Sequence, residues 1–379
     1  MVTGVICEYN PFHNGHKKQL DIIRKDDPDG TIVCIMSGNY VQRGAPAIVD
    51  KSHRAKAAIL SGADLVLELP ITTVLSSAEG FAAGGVSALS GFCDRLCFGA
   101  ESADISLLNK TATYLLSDEY RDALRLQLDK GKSFPAARQD ALAGIGIDAD
   151  FIHKPNNILA VEYCKAILSQ RSRMTPFPII RNGDYHSTDA DVNNPSATFL
   201  RQQMLKCAAW DQFIPTGAAS CFIGANQHYL QNGERAILYK LRTMSDEDFE
   251  ALPYGSEGLW RKLMHASRSC ATLEDVITNT KSKRYTRSRL DRMIMCAYLG
   301  ITKAQLEQDA PYVRVLAFNQ RGRETLKIAR TTGDYFNIGQ SVDSWYQELE
   351  DRAGSLYGLF AKNTTEPADS ERRIRVYSY

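Results

Sequence analysis

Two histidines near the amino terminus have the spacing and the neighbours of a phosphate site. His13 and His16 bracket Gly15 in the segment Asn10-Pro11-Phe12-His13-Asn14-Gly15-His16, which follows a short apolar run. Two imidazoles can each donate a hydrogen bond to a phosphate oxygen without adding a full fixed charge. A helix that begins after this turn would direct its free N–H groups and its positive dipole end toward an anion. The spacing therefore predicts an anion-binding turn.

A second group of chemically active side chains lies near residue 200. Ser196, Thr198 and Arg201 place two hydroxyl groups and one guanidinium close together near the start of a predicted helix. Hydroxyls, free helix N–H groups and a forked guanidinium can all donate hydrogen bonds to phosphate oxygens. Any helix cap could produce this spacing, so its meaning depends on the histidine turn that accompanies it.

Two simpler interpretations of the histidine spacing compete with a phosphate site. His13 and His16 could be ordinary surface histidines, or they could be two ligands of a metal ion. A metal site needs further ligands at a suitable spacing, and the other histidines form no cluster with cysteines or carboxylates in the sequence. Cys93 and Cys97 are a close pair, but no second pair accompanies them. We therefore predict no metal ligands in this chain.

Strand and helix patterns alternate over the first half of the chain. After a first apolar run that begins at Gly4, runs typical of buried strands lie at 31–36, 64–70, 95–99 and 177–180. This alternation favours βαβ units and a doubly wound, Rossmann-like parallel sheet. Ligands of such sheets bind beyond the carboxyl ends of the strands, where the histidine turn and Arg43 would lie.

The residues around the histidines resemble those of a known family. His13-Asn14-Gly15-His16 is similar to the H-x-G-H signature of the nucleotidyltransferase superfamily, and residues 196–201, SATFLR, are similar to its S-x-T-x-x-R motif. The longer segments 8–16, EYNPFHNGH, and 36–44, MSGNYVQRG, resemble those of the bacterial tRNA(Met) cytidine acetate ligases. The resemblance extends along nearly the whole chain.

This resemblance implies an activity, its substrates and its cofactor. Members of the family adenylate acetate with ATP and transfer the acetyl group to N4 of the wobble cytidine of elongator tRNA(Met). Mg²⁺ would accompany the ATP phosphates. The implied catalytic residues are His13, His16, Ser196, Thr198 and Arg201. The implied ATP contacts are Cys7, Glu8, Tyr9, Asn10, Pro11, Phe12, His13, Asn14, Gly15, His16, Arg43, Gly99, Asn157 and Arg181.

The pattern of the second half differs from that of the first. From about residue 214 helical segments follow one another, apart from a possible strand at 313–318 and an extended tail at 373–377. We therefore predict a nucleotidyltransferase-like ATP-binding domain at residues 1–213. A mostly α-helical tRNA-binding domain is predicted at residues 214–379.

A run of positive charge marks this second half. Residues 281–292, KSKRYTRSRLDR, contain six cations, one carboxylate and one tyrosine. Such a run is often a solvated helix face. Beside a nucleotide-activating domain, cations with an interleaved aromatic suit phosphate contacts and base stacking on folded RNA. The predicted RNA-binding residues are Lys281, Lys283, Arg284, Tyr285, Arg287, Arg289 and Arg292.

Composition indicates an ordinary globular protein. Hydrophobic residues make up 44% of the chain and charged residues 23%, and no apolar run approaches the roughly 20 residues of a membrane span. Nine cysteines scattered over 379 residues do not suggest a disulfide framework. We therefore expect a cytoplasmic protein without a membrane partner, and its oligomeric state is open. A small-molecule nucleotidyltransferase and an RNA-binding protein with a relic nucleotide fold are the alternative functions.

Overall fold

The computed structural model describes most of the chain. The described residues are 1–132, 134–148, 151, 154–181, 192–193, 195–282, 285–331, 336–337, 340–365 and 377–378. The strands within them are β1 (Val2–Cys7), β2 (Thr31–Ser37), β3 (Tyr40–Val41), β4 (Ala45–Pro46), β5 (Leu65–Leu69), β6 (Arg95–Ala100), β7 (Thr175–Ile180), β8 (Val313–Phe318), β9 (Phe336–Asn337) and β10 (Tyr377–Ser378).

A sheet of eight of these strands forms the centre of the described structure, in the order β10-β8-β5-β2-β1-β6-β7 with β9 beside β8. β1 lies between β2 and β6 and runs parallel to both, so that Cys7 pairs with Met36 and Val5 with Cys97. β5 and β7 extend the parallel sheet on either side. The carboxyl ends of five strands therefore meet at one edge.

The helices of the first half connect and cover these strands. They are α1 (Asn14–Asp26), α2 (Lys51–Leu60), α3 (Ile71–Val74), α4 (Ala78–Ser90), α5 (Ile105–Leu115), α6 (Asp118–Asp129), α7 (Phe134–Ala143), α8 (Pro155–Ser169) and α9 (Ala197–Leu205). Alternate residues of β2 enter opposite cores, as the period of a strand requires. Val33 and Ile35 pack with residues of α4 and α8, whereas Cys34 and Met36 pack with residues of α1 and α2. The predicted doubly wound α/β fold is confirmed.

The second half is mostly helical, as predicted. Its helices are α10 (Thr216–Ala219), α11 (Glu234–Thr243), α12 (Asp246–Glu250), α13 (Leu259–Ser269), α14 (Leu273–Thr280), α15 (Arg287–Leu299), α16 (Lys303–Glu307), α17 (Gln320–Arg330) and α18 (Trp345–Tyr357). A separate core lies between them, with Leu238, Leu263, Met293 and Leu349 among its members. No helix in the described part of the chain is both long and apolar enough to cross a membrane.

The sheet also includes a strand from beyond residue 213. The predicted strand at 313–318 is β8, and it pairs antiparallel with β5, with Leu65 opposite Phe318. α17 then packs closely on the start of β5, since a side chain at Gly322 would meet the carbonyl oxygen of Asp64. The chain therefore returns to the first-half sheet after the helices 216–307. The division of the chain into two domains at residue 213 therefore stays a prediction.

The end of the chain also reaches this sheet. Of the extended tail predicted at 373–377, residues 373–376 lie outside the described residues, and Tyr377 begins β10. β10 runs parallel to β8, with Tyr377 opposite Ala317.

Candidate active site

The turn between β1 and α1 holds a buried histidine without a partner. His13 occupies the N-cap of α1 in an extended conformation, and its side chain is only 1% exposed. Neither of its ring nitrogens has a hydrogen-bond partner among the described residues. A side chain on Gly15 would lie 3.1–3.2 Å from atoms of the His13 ring, so glycine leaves the ring its space. A buried polar group of this kind is available to bind a ligand or a water molecule.

His16 lies against His13 in a stacked arrangement. The two ring centroids are 3.6 Å apart with an interplanar angle of 19°. The backbone N–H of His13 donates to Nδ1 of His16 over 3.2 Å. A neutral His16 whose Nδ1 accepts a bond must carry its proton on Nε2, where it can donate to a ligand. The rings of Tyr9 and Phe12 pack against His16 at centroid distances of 4.8 and 5.5 Å and fix its position.

Both histidines are uncharged at neutral pH. Burial, together with the guanidinium groups of Arg181 and Arg201, lowers the pKa of His13 to about 3. Burial also holds the pKa of His16 well below its usual range, with smaller contributions from His13 and Arg181. Arg181 and Arg201 therefore act electrostatically on the histidine turn.

Arg201 joins the two predicted phosphate motifs. One of its nitrogens, Nη1, donates to the backbone oxygen of Asn10 over 2.7 Å, and Nη2 donates to the hydroxyl of Thr198 over 3.0 Å. Ser196 caps α9 by accepting a bond from the backbone N–H of Phe199. The start of α9 is therefore held beside the turn that follows β1. The structure thus brings together the five residues predicted to be catalytic.

The loop between β3 and β4 lies beside the histidine turn. Glu8 accepts a 2.7 Å hydrogen bond from the backbone N–H of Gln42, which ties this loop to the residues that precede the turn. Arg43 follows and is exposed to solvent. Asn10 accepts a 2.7 Å bond from the N–H of Ile48, so the same turn is also fixed to the chain after β4. The thiol of Cys7, by contrast, faces β2, 3.7 Å from the backbone oxygen of Ile35.

A buried arginine holds both strand-end loops. Arg54 of α2 is fully buried, and its guanidinium donates to the backbone oxygens of Glu8 over 2.7 Å, Ser37 over 3.0 Å and Gly38. Its Nε donates to the oxygen of Val49 over 2.8 Å. The sequence analysis did not identify Arg54, because a single arginine in an alanine-rich helix gives no signal of what it contacts.

The remaining predicted ATP contacts lie at the carboxyl ends of β6 and β7 and at the start of α8. Gly99 lies beside Arg181, whose side chain would be 3.6 Å from a Cβ at Gly99. The side-chain oxygen of Asn157 accepts bonds from the N–H groups of Glu101 and Ser102, and its Nδ2 donates to the oxygen of Phe151. Asn157 is thus occupied in shaping the loop after β6.

Glu101 connects the same loop to the start of α8. Its carboxylate accepts the backbone N–H groups of Asn156 and Asn157 at the start of α8, over 3.2 and 2.7 Å. Asn156 in turn accepts a long bond of 3.4 Å from Arg181. Glu101 and Asn156 were also missed by the sequence analysis, since their partners are set by the tertiary structure.

Asn14 links the signature to later parts of the chain. Its side-chain Nδ2 donates to the backbone oxygens of Val192 and Gln212 over 2.9 and 3.1 Å. The segment that ends in α9 is therefore attached to the histidine turn at Asn14 as well as at Asn10. The variable position of the H-x-G-H signature has a structural role in this chain.

The positively charged run divides into residues with different surroundings. Lys283 and Arg284 lie outside the described residues. Lys281 and Arg287 are exposed, and Arg287 forms ion pairs of 2.8 Å with both Glu274 and Asp291. Arg289 donates to the backbone oxygen of Tyr254 over 2.8 Å, and its guanidinium lies over the Tyr285 ring.

Arg292, in contrast to the prediction, faces inward. Its side chain is buried, with 8% exposure, and the guanidinium lies 5.2 Å from the centre of the Tyr254 ring. The helical period explains this placement, since Arg292 lies one turn before the buried Cys296 on the same face of α15. Its position assigns Arg292 to packing and not to a contact with RNA phosphates.

Comparison with known proteins identifies the family. Residues 1–372 match the family model described as HIGH Nucleotidyl Transferase. The tRNA(Met) cytidine acetate ligase of Clostridium kluyveri is 37% identical over 391 residues, which cover 96% of this chain and 95% of that protein. The ligase of Acetivibrio thermocellus is 33% identical with the same coverage. The chain belongs to the tRNA(Met) cytidine acetate ligase family.

Solved structures of this family have the same fold. The apo crystal structure of Thermotoga maritima TmcAL superposes with a TM-score of 0.91 at 30% identity, covering 100% of this chain and 99% of the other. A second crystal form of that protein, bound with alpha-thio ATP, gives a TM-score of 0.89 at 29% identity. The resemblance inferred from the two motifs therefore extends over the whole family fold.

Proposed function

We propose that the protein is an ATP-dependent ligase that activates acetate as acetyl-AMP and acetylates N4 of the wobble cytidine of elongator tRNA(Met). The names of its relatives support this function, as does the complex of the T. maritima protein with an ATP analogue. The structural observation that carries the proposal is the pair of stacked, neutral histidines at the start of α1, with Arg201 bound to the same turn. Their donors suit a triphosphate.

The first step of the proposed reaction is adenylation. An acetate oxygen attacks the α-phosphorus of ATP, the bond to the bridging oxygen breaks, and pyrophosphate leaves. Acetate is already ionised at pH 7, so this step needs no general base. The chain contributes position and charge stabilisation: His13 and His16 at the α- and β-phosphates, and Ser196, Thr198 and Arg201 at the departing pyrophosphate.

The proposed contacts around the nucleotide follow from the placement of the remaining residues. The turn from Cys7 to His16, together with Arg43, Gly99 and Arg181, would surround ATP, and Asn157 would act by holding the loop after β6. Mg²⁺ is proposed as the ion carried by the ATP phosphates. The described residues contain no group of three His, Cys, Asp or Glu side chains that could hold a metal ion.

The second step transfers the acetyl group to RNA. Cytidine N4 attacks the carbonyl carbon of acetyl-AMP, the bond from that carbon to the phosphate oxygen breaks so that AMP leaves, and the proton lost from N4 passes to solvent. AMP is a sufficient leaving group, so no protein nucleophile is needed. The cysteines are free thiols, and burial raises the pKa of the Cys7 thiol well above its usual value, which fits a packing role. A cytoplasmic location, where tRNA is modified, is part of this proposal.

One experiment tests both steps. Purified protein is incubated with ATP, labelled acetate and bulk tRNA, and the tRNA is digested and analysed for N4-acetylcytidine. We expect labelled N4-acetylcytidine that depends on ATP, and pyrophosphate exchange that depends on acetate. Exchange that requires a phosphorylated small molecule in place of acetate would instead indicate a small-molecule nucleotidyltransferase. Absence of ATP binding at millimolar concentration would indicate an RNA-binding protein with a relic fold.

A further inference from the structure

The exposed cations of the run at 281–292 lie next to a second basic and aromatic segment that the sequence does not mark. This segment is the first turn of α13, where Trp260, Arg261 and Lys262 follow one another. The Nζ atom of Lys262 donates to the backbone oxygen of Lys281 over 3.1 Å. That hydrogen bond places the start of α13 beside the loop that precedes α15.

Besides the inward-facing pair of Arg292 and Tyr254, two arginine–aromatic pairs lie in this region. The Arg261 guanidinium lies 4.9 Å from the centre of the Trp260 ring, and the Arg289 guanidinium lies 4.9 Å from that of Tyr285. Arg261 and Lys262 are exposed, whereas Trp260 and Tyr285 are half-buried and anchored in the helical core. We call these residues the Trp260 surface: Trp260, Arg261, Lys262, Lys281, Tyr285 and Arg289.

The charge of the Trp260 surface favours an anion. It contains four cations, and the carboxylate beside it, that of Glu257, accepts a 3.0 Å bond from the Tyr285 hydroxyl. Arg289 is held in place by bonds to the Tyr254 oxygen and the Ser256 hydroxyl, so its guanidinium plane is fixed before any ligand arrives. Fixed guanidinium planes and aromatic rings are the groups on which unpaired bases stack in RNA-binding proteins.

The Trp260 surface is connected to the proposed ATP site. The backbone of Asp291 and Arg292, just beyond Arg289, contacts the loop after β3 so closely that a Cβ on Gly44 would lie 2.5 Å from it. Two residues earlier in that loop, the N–H of Gln42 donates to Glu8 beside the histidine turn. A continuous path of direct contacts therefore leads from the surface to the nucleotide turn.

We propose that the Trp260 surface binds tRNA, with Arg261, Lys262 and Lys281 contacting the sugar-phosphate backbone and the Trp260 ring stacking on an unpaired base. This inference rests on the proposed function. It assigns the RNA contact to a surface formed by the start of α13 and by only some residues of the run at 281–292. Arg287, paired with two carboxylates, and Arg292, which is buried, are not part of it.

The test compares matched variants in binding to a tRNA(Met) transcript between about 50 and 200 mM salt. Arg261→Ala/Lys262→Ala should flatten the dependence of log K on log salt by roughly 1.5 to 2, because two phosphate contacts are lost. Trp260→Ala should weaken binding roughly tenfold to a hundredfold with little change in slope, because stacking releases no counterions. Trp260→Phe should retain most of the affinity.

The control is a pair of exposed arginines at the opposite edge of the sheet. Arg323 and Arg330 lie on α17, which contacts the amino-terminal end of β2 through Thr325 and Thr31. Arg323→Ala/Arg330→Ala should leave the affinity and the salt slope unchanged. Circular dichroism and thermal unfolding, recorded for every variant, separate a lost contact from a lost fold.

The outcomes distinguish this inference from the function on which it rests. If the wild-type protein acetylates tRNA and Arg261→Ala/Lys262→Ala binds with an unchanged salt slope, the surface is wrong and the function stands. If the wild-type protein binds tRNA through these residues but forms no N4-acetylcytidine, the proposed function fails and the surface stands. Competition by polyglutamate as effective as that by tRNA at equal charge would overturn the RNA assignment in favour of an acidic protein partner.

Discussion

The neutral state of His13 and His16 suits the reaction proposed for them. Arg181 and Arg201 already supply positive charge near the turn, and they lower the pKa of the His13 ring further than burial alone. A neutral imidazole still donates one hydrogen bond to a phosphate oxygen. A bound triphosphate would raise the pKa of both rings, because negative charge favours the imidazolium form. Each neutral ring keeps one N–H group that can donate to the phosphates.

Removal of the His16 ring should slow adenylation more than it weakens ATP binding. In His16→Ala, the Nε2 donor is lost at the point where charge develops on the α-phosphate, and the expected cost is roughly 3 kcal/mol, or about two orders of magnitude in rate. The measurement is acetate-dependent ATP–pyrophosphate exchange, with the Kd for ATP determined separately. His265→Ala is the control, since His265 is exposed on α13.

Near wild-type exchange in His16→Ala would mean that the ring only packs between Tyr9, Phe12 and His13. A loss of rate equal to the loss of ATP affinity would mean that the ring binds substrate and transition state alike. Either result would remove His16 from the proposed catalytic residues.

At the residue scale, sequence reasoning works where the chemistry is local. The spacing of His13, Gly15 and His16 indicates a phosphate turn because three neighbouring residues carry the whole motif. Sequence reasoning fails for Arg292, since a count of charges does not say which face of α15 is buried. The bonds of Asn157 to the loop after β6 were equally hidden, because its partners lie more than 50 residues away.

At the scale of elements, the site depends on how strand ends are held together. The turn after β1 and the loop after β2 begin where the pairing of the two strands ends, at Cys7 and Met36. Arg54 connects these segments from α2, because its guanidinium bonds to four backbone oxygens. A buried cation with four acceptors satisfies them without exposing them to water.

Arg54→Lys should therefore damage the site as well as the fold. Lysine keeps the charge but cannot reach acceptors in several directions with a planar fork, so at least one carbonyl oxygen loses its partner, at a cost of about 2 kcal/mol in the free energy of unfolding. We expect a raised KM for ATP and a lower exchange rate at temperatures where the variant is folded. Both effects follow from movement of the Glu8 and Ser37 carbonyl groups.

Arg95→Lys provides a matched control. Arg95 is also buried, but it lies at the amino-terminal end of β6, where it donates to the Thr3 hydroxyl and pairs with Asp26. It should lose stability with unchanged kinetic constants. Equal kinetic effects in both variants would show that Arg54 contributes only to stability.

Strands and helices were predicted correctly where the sequence pattern is strong. The pairing of strands that are distant in the chain was not predicted. β2, β5 and β8 each match an apolar run of the sequence. The pairing of β8 with β5 was not foreseen, because the two strands lie far apart in the chain and no local pattern encodes such a contact. The sequence alone consequently assigned β8 to the helical half.

At the scale of the whole molecule, buried polar contacts join the two halves. Lys51 donates to both oxygens of Glu68 over 2.7 Å, and Arg314 pairs with Glu350 over 2.6 Å, with 3.8 Å between Arg314 and Glu68. The four charges balance, as buried ions must. These contacts support the start of α2 and the end of β5 from the helical half.

Gly44 is a second place where the two halves of the chain meet, and a substitution there can test the importance of that contact. It has a positive φ of 74°, and an added Cβ would lie 2.5 Å from the backbone of Asp291 and Arg292. Gly224 has nearly the same φ, 75°, but no atom lies within 4 Å of its Cβ position among the described residues. Alanine at either position costs about 1 kcal/mol in backbone strain. Only Gly44→Ala must also push the loop away from α15.

We expect Gly44→Ala to lose a further ~1–3 kcal/mol in the free energy of unfolding, the usual range for a side chain forced into packed structure. The loop donates a hydrogen bond to Glu8 at one end and contacts α15 at the other, so acetate-dependent exchange and tRNA acetylation should both fall. Gly224→Ala should lose only the strain and keep both activities. If Gly44→Ala kept exchange while tRNA acetylation alone fell, the loop would serve RNA binding only, and the helical half would act on the acceptor without positioning the nucleotide.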